Sequence, residues 1–191
     1  MTFLDQWILA KGDIRPATNV FLVALGTLLL TLSAKYQVPL APVPMSMQSL
    51  VAIGLGFALG PILGGAAVMA YLVQGAVGFP VFAGTPQFGS GLPYMLGPTG
   101  GYLAGFLLAA VSAGVMVRAG WARGLFGATA VALAATVLLY LPGLLWLGGY
   151  VGFDAGLLQA GLYPFLPGDA VKVILAGLAF SQINRALSRR R

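Results

Sequence analysis

The chain has 191 residues, of which 59% are hydrophobic and only 7% are charged, and its mean hydropathy is +0.94. A soluble domain carries about a quarter charged residues, so this composition excludes a water-soluble globular protein and predicts a single membrane domain. The sequence contains neither Cys nor His. Because disulfides, thiol chemistry and the commonest metal ligand and general base are thereby excluded, we expect no catalytic site, metal or cofactor.

The net charge of +6 does not predict nucleic-acid binding, because the basic residues lie on either side of a long uncharged run. Residues 36–117 contain no Asp, Glu, Lys or Arg at all. A helix needs roughly 20 apolar residues to cross a hydrocarbon core, so this uncharged run has room for about three spans. The sequence therefore indicates a protein that crosses the lipid bilayer several times.

The first 15 residues carry both acidic and basic side chains. Leu4, Trp7 and Ile8 fall on one face of a possible short interfacial helix. A secretory signal is the competing interpretation, but this leader is acidic as well as basic and no A-x-A site follows the apolar run. Residues 17–34 are therefore predicted to be a retained first span.

Proline and glycine divide the rest of the chain. The segment 35–45 carries three prolines and cannot be helical, since each proline removes an amide donor and restricts the residue before it. The predicted spans after it are 46–59, 62–77, 99–117, 124–147 and 167–187. The predicted outer loops are 35–45, 78–98 and 148–166, and the middle one is long, uncharged and aromatic. Irregular backbone in such surroundings requires protein or a cavity to satisfy its polar groups.

Six spans with both termini in the cytoplasm fit the positive-inside rule. With the N-terminus inside, the leader, the turn 118–123 and the tail 185–191 are cytoplasmic, and they hold eight of the ten basic residues. Lys35 begins the first outer loop, and Lys172 lies within the sixth span. The fold class predicted is an all-α membrane bundle of six transmembrane helices.

Two spans carry small residues at helical spacing, which lets helices approach closely. Span one has the stripe Ala24, Thr27, Thr31 and Ala34, and span four has the stripe Gly101, Gly105, Ala109 and Ala113. For span four we expect packing within the chain. For span one, docking to a separate membrane subunit competes with packing.

Asp169 and Lys172 are the two ionisable residues expected inside the membrane, in the segment Pro164–Lys172. Such residues are rare and mark functional sites by default. Pro167 suits a first helical turn, which places Asp169 in that turn and Lys172 one turn later on the same face. A structural role remains open, because Asp gains stability near a helix N-terminus and Lys172 could neutralise it. A ligand with N–H and C=O groups, or an anionic ligand, would suit the pair.

Two catalytic interpretations of the glycine-rich segments fail. No glycine run continues as G-x-x-x-x-G-K-[ST], so the chain cannot energise transport with ATP by itself. Gly89-Ser90-Gly91 could present the serine of an intramembrane protease, but no His is available as its base. Lys172 would be the remaining base.

Four segments together resemble the BioY family, the biotin-specific substrate-binding component of energy-coupling-factor transporters. They are Val43–Gln48, Gly75–Pro86, Gly97–Tyr102 and Pro164–Lys172. The Gly-Pro-Thr-Gly-Gly-Tyr and Pro-Gly-Asp-x-x-Lys pieces are specific in combination. The resemblance implies a six-helix S component of the bacterial inner membrane with an outward-facing biotin pocket. It also implies two kinds of partner, a transmembrane coupling (T) protein and a pair of cytoplasmic ABC-type ATPases.

The resemblance also implies roles for individual residues. Asp169 and Lys172 match the residues that the family needs for biotin recognition, and the stripe Ala24, Thr27, Thr31 and Ala34 inherits a coupling-protein contact. Biotin offers two ureido N–H donors, a carbonyl, an apolar ring and a carboxylate. Further expected contacts, polar or aromatic, are Gln48, Tyr94, Phe79 and Phe82, because ligand pockets are mostly apolar with a few placed polar groups.

Two alternatives remain open at this point. The chain could be an S component for another vitamin, or a membrane enzyme or scaffold in which Asp169 and Lys172 are structural. A ligand screen separates the first alternative from biotin capture. The second predicts that Asp169→Asn leaves ligand binding unaltered.

Overall fold

A computed structural model describes the backbone of residues 16–87 and 89–188, and side chains as far as residue 183. The predicted interfacial helix around Leu4, Trp7 and Ile8 lies outside the described residues, as does the end of the basic tail. Within the described residues, seven helices and one two-stranded hairpin are assigned. The protein is therefore mainly helical, as predicted.

Five of the described helices are long and apolar enough to cross a membrane. They are α1 (Pro16–Lys35), α2 (Gln48–Ala76), α4 (Gly100–Arg118), α5 (Gly124–Val151) and α7 (Leu166–Ser188). Two short helices, α3 (Gly91–Met95) and α6 (Ala155–Gly161), lie in segments predicted to be irregular loops. The strands β1 (Gln37–Val38) and β2 (Met45–Ser46) pair antiparallel within the first predicted loop, so the fold is not purely α-helical.

Helix α2 contains both the second and the third predicted span. Gly60 interrupts it with φ 77° and ψ −178°, a backbone conformation that is essentially restricted to glycine, and Pro61 follows. A Cβ built on Gly64 would lie 2.9 Å from the carbonyl oxygen of Leu55, although nine residues of straight helix span about 13 Å. The two arms, residues 48–59 and 61–76, are therefore antiparallel. The described part of the chain has five helices of membrane-spanning length, whereas the sequence predicts six spans. The numbers differ because α2 continues across Gly60, where the prediction separates two spans.

The long helices pack mainly in the order α1, α2, α4, α5, α7. Glycines in α4 allow its closest contacts with α5: a Cβ on Gly105 would lie 2.4 Å from the carbonyl oxygen of Leu139, and one on Gly101 would lie 2.3 Å from that of Pro142. Ala109 in the same stripe is fully buried. The predicted packing role of this stripe within the chain is confirmed.

The corresponding stripe on α1 is only partly available to a partner. Thr27 and Ala34 are buried, and α1 packs mainly on α2. Ala24 is exposed and Thr31 is half-buried. Both threonine hydroxyls donate to carbonyls of α1 itself, so neither offers a free donor. Packing within the chain accounts for Thr27 and Ala34, and these two side chains cannot contact a separate subunit without opening that interface.

Candidate ligand-binding site

Asp169 and Lys172 form an ion pair at the start of α7. The helix begins at Leu166, and the amide of Asp169 donates to the carbonyl of Phe165 at 2.9 Å, so Asp169 lies in the first turn. The Lys172 Nζ lies 3.1 Å from Asp169 Oδ1, and the two residues are 9% and 8% exposed. The predicted geometry, one turn apart on one face, is confirmed.

Two hydroxyl groups from other helices complete the surroundings of the pair. The Tyr140 hydroxyl of α5 donates to Asp169 Oδ2, while Lys172 donates to Oδ1, so both carboxylate oxygens are occupied. Lys172 Nζ also donates to the hydroxyl of Ser49, 3.2 Å away in the first turn of α2. The pair thus links α2, α5 and α7.

This polar cluster faces an inner cavity of about 40 Å³ between the helices and the first outer loop. The lining is mainly apolar with a few polar groups, which is typical of small-molecule sites. The lining residues are Val43, Pro44, Met45, Ser46, Gln48, Ser49, Ala83, Thr99, Tyr102, Phe106, Thr136, Leu139, Tyr140, Phe165, Asp169 and Lys172.

Aromatic rings form one wall of the inner cavity. The Tyr102 ring lies 6.0 Å from the Tyr140 ring at an interplanar angle of 88°, and 6.2 Å from the Phe165 ring. The Tyr102 hydroxyl donates to the carbonyl of Gly161 at 2.7 Å, which ties α4 to the end of α6. Since α4, α5 and the segment before α7 each contribute one ring, this wall is fixed by helix packing.

Gln48 lines the inner cavity, but its amide is already engaged. Its Oε1 accepts from the Ser46 hydroxyl at 2.9 Å, and its Nε2 donates to the Tyr71 hydroxyl at 2.5 Å. Tyr71 in turn donates to the carbonyl of Val81. Gln48 therefore connects the cavity to the segment 80–85, which we call the lid segment.

Phe82 belongs to the lid segment and Tyr94 packs against it, and neither lines the inner cavity. Their rings stack at 5.1 Å, Phe82 is fully buried, and the Tyr94 hydroxyl donates to the carbonyl of Ala83 at 2.7 Å. Burial raises the pKa of the Tyr94 phenol above its ordinary value. Phe79 is 61% exposed and lies outside the lining. Of the six predicted ligand residues, the structure places Asp169, Lys172 and Gln48 around the inner cavity.

A second, outer cavity of about 250 Å³ adjoins the first. It is lined by Leu40, Ala41, Pro42, Pro44, Pro93, Tyr94, Gly97, Pro98 and Thr99. Pro44 and Thr99 line both cavities, so the two are neighbours. Tyr94, predicted from the sequence as a ligand contact, borders this outer cavity.

Two larger grooves, of about 630 and 740 Å³, also lie on the bundle, and the larger one borders the site because Asp169, Tyr140 and Thr136 line it too. Most of their other lining residues are leucine, valine, isoleucine, alanine and phenylalanine, and many of these side chains are exposed. In a multi-span membrane protein, such surfaces suit lipid tails. The smaller inner cavity is the candidate site because it alone among the described cavities combines both charges with several hydroxyl groups.

Sequence reasoning missed the two hydrogen-bonding partners of the ion pair, Tyr140 and Ser49, and the aromatic wall of Tyr102 and Phe165. Tyr140 lies inside an otherwise apolar predicted span, and a polar ring at that depth is a weak signal for a buried partner. Ser49 directly follows Gln48, the last residue of a segment that carries the family resemblance. Their pairing with Asp169 and Lys172 depends on helix packing, which no local pattern reports.

Comparison with known proteins gives a consistent assignment. The family model for the BioY family matches residues 8–189. A protein of Pyrococcus horikoshii described as a probable biotin transporter BioY is 38% identical over 160 residues, covering 84% of this chain and 92% of that protein. The biotin transporter BioY of Thermotoga maritima is 34% identical over 159 residues, covering 83% and 91%.

A solved structure also has the same fold. The crystal structure of the S-component for biotin from an ECF-type ABC transporter superposes with a TM-score of 0.79, covering 91% of this chain and 95% of that one, at 23% sequence identity. The fold is therefore that of an S component. Because the family model spans nearly the whole chain and the relatives align over most of their length, this multi-pass membrane protein belongs to the BioY family.

Proposed function

We propose that this protein is the biotin-binding membrane subunit of an importer, and that it captures biotin at the outer face. The observation that carries the proposal is the buried Asp169–Lys172 pair, with Tyr140 and Ser49, in a cavity lined by apolar and further polar side chains under the outer loops. The relatives described as biotin transporters support the choice of ligand.

The chemistry of the inner cavity matches the head group of biotin. Asp169 accepts a ureido N–H, and Lys172 donates to the ureido carbonyl or to the carboxylate. The rings of Tyr102 and Phe165 cover the apolar bicycle, and the outer cavity near Thr99 receives the aliphatic chain. Charge-assisted hydrogen bonds at the head group are stronger than neutral ones, which favours tight capture.

Binding requires the lining to move. A free volume of about 40 Å³ accommodates only a few water molecules. Met45 in β2 is the most adaptable lining side chain, since a thioether with three rotatable bonds repacks easily. We therefore expect the hairpin of β1 and β2 to shift when the ligand enters.

The membrane arrangement belongs to the same proposal. The two arms of α2 act as separate transmembrane segments, which gives six, with both termini in the cytoplasm of the producing cell. A Cβ on Gly114, four residues before Arg118 at the end of α4, would meet Pro61 at 2.4 Å, so the α2 bend lies at the end of the bundle that carries the 118–123 turn. Lys172, Asp169 and the two cavities lie toward the other end.

The sequence has no nucleotide-binding motif of its own, so we propose that partners energise import. A transmembrane coupling protein and a pair of ABC-type ATPases supply the energy, and the protein itself needs no cofactor. Ala24 and the exposed apolar side chains of α1, such as Leu25 and Leu28, are available for the coupling protein. Thr27 and Ala34 lie on the buried side of α1, where the helix packs on α2.

The enzyme alternative has one specific observation in its favour, the 3.2 Å contact between Lys172 and the Ser49 hydroxyl. A serine nucleophile needs a base that accepts its proton. Lys172 is ion-paired with Asp169, and as an ammonium group it donates to Ser49 instead of accepting from it. The contact therefore favours binding over catalysis.

Calorimetry on the protein purified in detergent tests the proposal. We expect one biotin per chain, and we expect Asp169→Asn and Lys172→Met each to weaken binding about 100-fold or more, since each leaves a charge or ligand group unpaired. Asp154→Asn is the matched control, because the side chain of Asp154 caps α6 through Gly156 and Asn also caps helices.

Removing one charge of a buried pair can also unfold a protein. The double variant Asp169→Asn/Lys172→Met leaves no unpaired charge, so it separates lost binding from lost folding. No binding at micromolar biotin would overturn the proposed ligand. Wild-type affinity in a folded double variant would show that the site lies elsewhere.

A further inference from the structure

The lid segment, residues 80–85, has no regular secondary structure, yet side chains from three helices satisfy most of its carbonyl groups. Tyr71 of α2 donates to Val81, and Tyr94 of α3 donates to Ala83. The remaining accepting carbonyls are those of Pro80, Phe82 and Thr85, and all three accept from Lys35. Irregular backbone in apolar surroundings is stable only with such partners.

Lys35 is the last residue of α1, and its ammonium group holds the lid segment at several points. The Nζ lies 2.7 Å from the carbonyl oxygen of Pro80, and 3.2 Å from those of Phe82 and Thr85. The Thr85 hydroxyl is also 3.2 Å away. An ammonium group has three donors, so these four oxygens use its full capacity.

The contact is not an ordinary helix cap. A lysine in the last turn of a helix commonly hydrogen-bonds the free carbonyls of its own helix. Lys35 instead reaches 45 to 50 residues along the chain, to carbonyls that belong to another part of the fold. Its hydrogen bonds therefore fix the position of the lid segment relative to α1.

The lid segment lies directly between Lys35 and the inner cavity. Ala83 lines that cavity, and Phe82 is buried against Gly75, where a Cβ would lie 1.9 Å from the Phe82 ring. Lys35 is consequently connected to the ligand cavity through the backbone of only a few residues. Leu28, which lies two turns before Lys35 on the same face of α1, is exposed.

We infer that Lys35 is a positioning residue for ligand retention: its ammonium group holds the lid segment closed against the inner cavity. The inference deepens the proposed function and rests on it. When α1 moves relative to the rest of the bundle, these hydrogen bonds break and the lid segment is released. Lys35 thus governs how fast a bound ligand leaves, with little effect on how fast it enters.

A cysteine reporter tests the position of the lid segment without any ligand. The native chain has no Cys, so a single introduced thiol is the only one labelled. Val81 is buried and does not line the inner cavity, so Val81→Cys should react slowly with a water-soluble maleimide. Adding Lys35→Met should raise that rate about tenfold, because a side chain of similar length without donors frees the segment.

Two controls separate a local release from general unfolding. Ser181→Cys places a thiol at a buried position toward the far end of α7, and its labelling rate should not change with Lys35→Met. Arg123→Met removes a cation from the turn at the opposite end of the bundle, and it should leave Val81→Cys labelling unchanged. Equal labelling of Val81→Cys with and without Lys35→Met would overturn the inference.

A second experiment measures biotin release, on the chain without introduced cysteines. Pulse–chase measurements should show that Lys35→Met speeds biotin dissociation about tenfold while the association rate stays within about twofold, since altered contacts act mostly on dissociation. Unchanged dissociation in a wild-type-like folded variant would overturn the retention role. Absence of biotin binding by the wild type would instead overturn the proposed function, and Val81→Cys labelling would still show whether Lys35 holds the segment.

Discussion

The Asp169–Lys172 pair illustrates what charges need inside a membrane protein. Moving two charges out of water costs several kcal/mol per ion, on the order of what their mutual attraction returns, so further hydrogen bonds decide the balance. Tyr140 and Ser49 provide these bonds, and each oxygen of Asp169 has a donor. A ligand that binds Asp169 must therefore exchange with, or add to, donors that are already in place.

Tyr140 should orient Asp169 for the ligand. Tyr140→Phe removes the hydroxyl donor and keeps the ring, so we expect biotin binding to weaken about tenfold, which corresponds to about 1.4 kcal/mol. Calorimetry measures the change. Tyr163→Phe is the control, because Tyr163 is exposed and outside the cavity lining. Unchanged affinity for Tyr140→Phe would limit Tyr140 to a packing role.

For individual side chains, the sequence predicted the contacts that lie within one helical turn. Asp169 and Lys172 are three residues apart, and helical geometry alone brings them together. Tyr140 is 29 residues from Asp169 and Lys172 is 123 residues from Ser49, so these contacts required the packed bundle. The same limit explains Phe79, whose aromatic ring was predicted to cover the ligand but lies exposed beside the lid segment.

Among the helices, α2 depends most visibly on single residues. Gly60 has φ 77° and ψ −178°, and its turn makes the two arms antiparallel. A Cβ in this conformation costs about 1–3 kcal/mol. We therefore expect Gly60→Ala to lower the apparent melting temperature of the detergent-solubilised protein, measured by size-exclusion chromatography after heating.

Gly54→Ala is the matched control for Gly60. It lies in the same helix, and a Cβ there meets no atom within 4 Å. Since alanine favours helix over glycine by up to about 1 kcal/mol, this variant should be neutral or more stable. Equal stability of Gly60→Ala and Gly54→Ala would show that the bend does not require glycine.

Helix ends were predictable where proline and glycine mark them, and less so elsewhere. The predicted spans 17–34, 99–117 and 167–187 end within one residue of α1, α4 and α7. Helix α5 continues four residues past the prediction, through Gly148 and Gly149, despite the low helix propensity of glycine. Helix α6 was missed although Asp154, a favourable N-cap residue, precedes it.

For the whole molecule, a cysteine-free chain allows a direct test of the proposed topology. Tyr36 and Trp121 are both exposed and lie in the first outer loop and in the 118–123 turn. A membrane-impermeant maleimide should label Tyr36→Cys in intact cells, and it should label Trp121→Cys only after the membrane is opened. The reverse result would invert the proposed orientation.

The bundle as a whole was predictable in class but not in arrangement. The length of the uncharged run indicated several spans, and the distribution of arginine and lysine indicated their orientation. The order in which helices pack, with α2 between α1 and α4, depends on complementary surfaces such as Gly56 against Ala110. Such surfaces form only between segments distant in sequence.

The bend of α2 has a consequence for the surrounding lipid. At about 1.5 Å per residue, the arm 48–59 is roughly 18 Å long, well short of the roughly 30 Å hydrocarbon core. The bend packs on Gly114, so α4 continues beyond it toward Arg118. If both arms span the membrane as proposed, we expect the bilayer next to α2 to thin around this short hairpin, because its hydrophobic length does not match the core there. Acyl-chain length should therefore influence how the molecule tilts in a membrane.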